Sequence, residues 1–213
     1  MTRLGAKVDA MVKGGDGTAT GVIDSVRGEY GRYRAMAERV FSQLAPDELA
    51  RRPPGGGNSV ATLAWHIAGN LRSRFTDFLT TDGEKPWRDR EAEFDPRPGD
   101  REAILQEWEA GWAVLSGALA PLDDDDLERT VRIRGVELTV AEALHRSLAH
   151  LAYHVGQMVL LGRMARGEDW EFLTIPPGGT EAYNRDPTME RARDLRPDGV
   201  SPDAGEPLED DGG

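Results

Sequence analysis

The 213-residue chain has no cysteine, only four histidines, and lysine only at Lys7, Lys13 and Lys85. Without cysteine there are no disulfide scaffolds, thiolate nucleophiles, iron–sulfur clusters or cysteine-ligated zinc fingers. Any metal must be held by His, carboxylate or backbone oxygen. Basic residues are in deficit: 26 Lys+Arg stand against 38 Asp+Glu, a formal net charge of −12. That balance argues against sequence-independent nucleic-acid binding, which needs a basic face. It argues equally against docking on anionic membranes. Long apolar runs are also missing. The longest uncharged stretch, residues 147–162, lies between Arg146 and Arg163 and contains two histidines. It is shorter than the roughly 20 residues a spanning helix needs. Residues 1–19 hold no apolar core of a secretory signal. The expectation is a soluble, cytoplasmic protein with neither a nucleic-acid nor a membrane partner.

What is present has helical periodicity. The low hydrophobic share of 38% predicts polar tails around one domain. Residues 1–20 are Gly-rich and read as a flexible lead-in, 21–187 as the domain, and 188–213 as an acidic, disordered tail. Val22, Val26, Tyr30, Tyr33, Ala37, Val40 and Leu44 recur at the 3–4 spacing of one helix face, which Pro46 ends. Pro53 to Gly57 is a break. Asn58 or Ser59 can cap a second helix with the stripe Val60, Leu63, Ile67, Leu71, Phe75, Phe78, expected to reach about Thr80. Residues 81–99 form a long charged loop with three prolines, Trp87 and Phe94, a length more often functional than neutral.

Asp100 can cap a third helix with Ile104, Trp108, Trp112, Leu115 and Leu119 inward. Residues 130–137 alternate β-branched and charged residues around Gly135, the pattern of a short hairpin. Thr139 and Glu142 form a capping box that starts a fourth helix, expected to end near Gly167. Trp170, Phe172, Leu173 and Ile175 can cover one open end. Four long amphipathic helices predict an all-α, up-and-down four-helix bundle with a short β-hairpin before the fourth.

Two histidines stand where leucines belong. His150 and His154 are one turn apart, on the inward stripe of the fourth helix. His66 borders the inward stripe of the second. Three imidazoles in one interior are costly as isolated polar groups. One divalent ion satisfies all three and leaves coordination positions open, as in catalytic sites. The alternative is three part-buried histidines bonded to backbone or to Gln157. His145 falls well round the helix and reads as surface. Asn70 and Gln157, near one turn from His66 and His154, are candidates for orienting a bound water or substrate. Trp87, Arg88 and Arg90 on the long loop are candidates for a lid or an anion contact. Asp123 to Asp126 lacks the spacing of a calcium loop and reads as a solvated turn. No Asp or Glu stands at an obvious spacing for a general base.

The His in LAWHIAGNL (63–71) and the pair in HLAYHVGQM (150–158) resemble the DinB-like superfamily of four-helix bundles with a His-triad metal site. The strings at 82–94, 133–144 and 175–184 are similar to an uncharacterised bacterial branch of it. The resemblance covers about 22–187. It implies His66, His150 and His154 as ligands of one divalent transition metal, zinc or nickel foremost. It also implies a homodimer and a small-molecule substrate. The activity it implies first is transfer of a low-molecular-weight thiol, with metal-dependent hydrolysis second and a non-catalytic, stress-associated metal-binding bundle third.

Overall fold

The computed structural model describes residues 21–190. The expected flexible segment 1–20 and all but the first three residues of the expected tail 188–213 lie outside them. The described chain is mostly helical, with six α-helices and one two-stranded antiparallel sheet. Four helices are long: α1 (Val22–Gln43), α3 (Val60–Phe75), α4 (Arg101–Leu119) and α5 (Val140–Arg166). Two are short: α2 (Pro46–Ala50) and α6 (Thr180–Arg185). The long helices pack α3 on α4, α1 on α5, α3 on α5 and α1 on α4. Their inward faces meet in one core that includes Tyr30, Phe41, Leu63, Ile67, Trp108 and Leu151.

The helix starts follow local chemistry. The Ser59 hydroxyl accepts from the Thr62 N–H, and Asp100 accepts from the Glu102 and Ala103 N–H groups. Thr139 accepts from Glu142 N–H while Glu142 accepts from Thr139 N–H, which completes the box that launches α5. α1 starts differently. Its N-cap Gly21 offers no side chain, and Asp124 accepts from the Val22 and Ile23 N–H groups, both at 2.9 Å. The aspartate run is therefore solvated yet also caps a distant helix.

Three expectations need correction. Pro46 does not simply end a helix; it is the first residue of α2, where a missing N–H costs nothing, and Glu48 accepts from the Ala45 N–H. α3 stops at Phe75, not near Thr80. Thr76 turns extended and its hydroxyl donates to the Arg72 carbonyl at 2.7 Å, while Asp77 takes φ +49°, which no α-helix continues. Val22, read as inward, is 45% exposed, and Ile23 takes its place in the core.

The sheet is the expected hairpin, β1 (Thr130–Ile133) with β2 (Val136–Thr139). Arg134 and Gly135 sit at φ +55° and +75°, the two left-handed positions a tight two-residue turn needs. This turn anchors the long loop. The Asp82 carboxylate accepts from Arg134 N–H at 2.8 Å and Gly135 N–H at 2.6 Å, and the Gly83 N–H donates to the Arg132 carbonyl at 2.8 Å. The backbone N–H groups of Glu84, Gly135 and Arg134 together hold Asp82's carboxyl below the usual carboxylate range. The loop then returns across α3 through a 3-10 turn, Ala92–Phe94. Trp170 and Leu173 close the core as expected, while Phe172 stays outside beneath Arg163.

Candidate metal centre

α3 and α5 carry the three histidines to one point. His66 is 3% exposed and His154 8%, while His150 is half-buried. His150 Nε2 lies 3.2 Å from His66 Nε2 and 3.1 Å from His154 Nε2. All three ligand atoms lie within 4.8 Å of one another. In a tetrahedral site with metal–nitrogen bonds of about 2.0–2.1 Å, ligand nitrogens sit roughly 3.3 Å apart. The two short separations are close to that edge.

The far side of each outer ring fixes its tautomer. His66 Nδ1–H donates to Glu93 Oε2 at 2.8 Å, and His154 Nδ1–H donates to Gln157 Oε1 at 2.9 Å. In the neutral rings both Nε2 atoms then carry lone pairs facing His150. His150 Nε2 can hold one hydrogen at most, so it satisfies one neighbour and confronts the other. A cation accepts all three lone pairs together. This donor set fits a divalent transition metal.

Electrostatics favour the ligand-competent state. Burial lowers the His150 pKa to about 3, and charge on His154, His66, Arg88 and Arg74 would lower it in the same direction. Burial also lowers His154, against the pull of its bond to Gln157. Both rings are therefore neutral at pH 7. Burial works against the Glu93 carboxylate, but hydrogen bonds from His66 and Arg88 outweigh it and hold Glu93 below its ordinary range.

Glu93 is the residue that sequence reasoning missed. It lies in the long loop, 27 positions from His66, with no periodic relation to either helix. Arg88 clamps it from behind, Nε to Oε1 at 2.7 Å and Nη2 to Oε2 at 2.9 Å. A Cβ at residue 69 would collide with Glu93 Oε1, so Gly69 gives the carboxylate its room one turn from His66. Phe94 lies against the His66 ring, with centroids 4.5 Å apart.

A cavity of about 360 Å³ opens beside the triad. His66, His150, Asn70, Arg88 and Arg90 are part of its wall. Trp87 is not; it is 54% exposed, with the Arg72 guanidinium over its ring. Gln157 serves His154 from the side away from the ligand nitrogen. His145 is exposed.

The model of a family described as a protein of unknown function, DUF1572, matches residues 17–179. The chain belongs to this family. The match spans α1 to the segment before α6, so the triad, Glu93 and the cavity wall all lie inside the DUF1572 region. No curated protein and no solved structure matches the chain. The family description names no activity, so function rests on the site itself. None of the described helices is long and apolar enough to cross a membrane.

Proposed function

We propose that this DUF1572 protein is a metal-dependent enzyme in which His66, His150 and His154 hold one divalent transition ion, zinc or nickel. The observation that carries the reading is the convergence of three Nε2 atoms, two of them forced to present lone pairs, at the wall of an open cavity. When bound, such an ion supplies Lewis acidity that brings a thiol or water toward neutral pKa. Glu93 holds the proton on His66 Nδ1, and Gln157 does the same for His154. Arg88 keeps Glu93 ionised, and Asn70 offers its amide to the ligand. The cavity suits a small-molecule substrate in size.

Transfer of a low-molecular-weight thiol is the favoured reaction. No carboxylate lines the cavity wall, and Glu93 is engaged on both oxygens, so a general base for water is missing among the described residues. We read the fold as an up-and-down four-helix bundle of DinB-like type, which the cyclic packing of α1, α4, α3 and α5 supports. We place the protein in the cytoplasm as a homodimer. Tyr153, Leu160 and Met164, exposed at 7- and 4-residue spacing along α5, support the dimer.

The test is turnover. Zinc- or nickel-loaded protein is mixed with a bacterial low-molecular-weight thiol and chlorodinitrobenzene. The sulfur forms the new bond to carbon, chloride leaves and the thiol proton passes to solvent. Acceleration that disappears in His154→Ala is expected. Metal bound without any turnover, across thiols and ester substrates, would leave a metal-binding bundle instead.

A further inference from the structure

The cavity wall is strongly cationic in a chain of net charge −12. Five arginines line it, Arg74, Arg88, Arg90, Arg134 and Arg146, and no acid does. Three carboxylates that are not part of the lining pair with four of them. Glu84 is shared by Arg74 at 3.0 Å and Arg134 at 2.9 Å, Glu93 takes Arg88, and Glu91 takes Arg90. Arg146 forms no ion pair with any described residue. The wall therefore keeps a cationic surplus.

Arg88 supplies a second, independent observation. Its side chain is only 2% exposed, yet Nη1 has no hydrogen-bond partner. A buried guanidinium N–H without an acceptor is costly, and guanidinium forks match oxyanions. Arg146 stands one turn before His150 on α5, so its charge and the triad share one helix face. The wall also carries an apolar part, Phe75, Phe78 and Ile133, beside polar Asn70 and Ser147.

We propose that the cavity binds a small organic oxyanion, a carboxylate or phosphate on an apolar body, with its charge on Arg88, Arg134 and Arg146 and its body on Phe75 and Phe78. This deepens the enzyme reading above by naming its substrate class, but the arginine wall does not depend on a metal. Apolar groups alone would accept a neutral body equally well. The oxyanion is what the surplus charge and the orphaned Arg88 donor add.

The experiment is calorimetric titration in low-chloride buffer with three probes of one body: benzoate, phenyl phosphate and benzyl alcohol. Wild-type protein, as purified and after chelation, is compared with Arg134→Gln/Arg146→Gln, two exposed positions outside the core. At least one anion binds tenfold or more tighter than benzyl alcohol, and the stronger anion identifies the head group. The double arginine variant loses that preference by about tenfold, the scale of a charged hydrogen bond. Chelated wild-type protein retains it, so failure of the metal reading stays distinguishable. Equal binding of all three probes, or unchanged anion affinity in the arginine variant, overturns the proposal.

Discussion

At the residue scale, Glu93 links the loop to the metal centre. It is ionised, accepts from His66 and is clamped by Arg88. Glu93→Gln keeps the shape but removes the charge that fixes His66's tautomer. Metal affinity is expected to fall about 10–100-fold, the usual range for a partner behind a ligating histidine. Competition with a chromophoric chelator measures it, and affinity within twofold of wild type would contradict the role. The same site predicts a pH dependence. His150 and His154 are lowered below 6.5, so the unfolded chain binds more protons than the folded one under acid conditions. Their contribution to stability is fully present above about pH 6.5 and lost as pH falls toward 3. Thermal melts of metal-free protein should show a steeper acid decline than melts of the His150→Ala variant. Parallel curves would show that these rings carry no such linkage. His150 and His154 were legible in the sequence because they interrupt a leucine-type stripe. Glu93 was not, because the loop that brings it back obeys no period.

At the element scale, two glycines of α4 divide sharply. A Cβ on Gly111 would lie 2.8 Å from Ala68 Cα and 3.0 Å from its carbonyl oxygen, in the backbone of α3. Gly111→Ala must push α3 from α4 and is expected to cost about 1–3 kcal/mol. Gly117 has nothing within 4 Å of the same position. Gly117→Ala is expected to stabilise by about 0.5–1 kcal/mol, the helix-propensity gain. Denaturant melts of both variants check the sign, and a loss at Gly117 or a gain at Gly111 would contradict the packing. The capped starts of α3, α4 and α5 were readable because a cap and the N–H groups that donate to it are near in sequence. The cap of α1 was not, since Asp124 lies about a hundred residues away. The end of α3 was misplaced for a related reason. Phe78 and Leu79 continue the apolar spacing, but Asp77's left-handed backbone ends the helix, and periodicity does not report φ.

At the scale of the whole molecule, the hairpin and the long loop act as one support. Asp82 ties the loop to the hairpin turn, and the loop carries Arg88 and Glu93 to α3. The exposed stripe on α5 is the second feature of this scale. A homodimer through Tyr153, Leu160 and Met164 predicts that Leu160→Glu shifts sedimentation from dimer to monomer with metal content intact. A monomeric wild type would refute that interface.

The central claim is that three histidines form one metal site. The direct measurement is the metal content of tag-free protein by elemental mass spectrometry, beside His150→Ala. About one divalent transition ion per chain, lost in the variant, is the predicted result. No ion after reconstitution, or equal content in both proteins, would contradict it and leave His66, His150 and His154 as core residues.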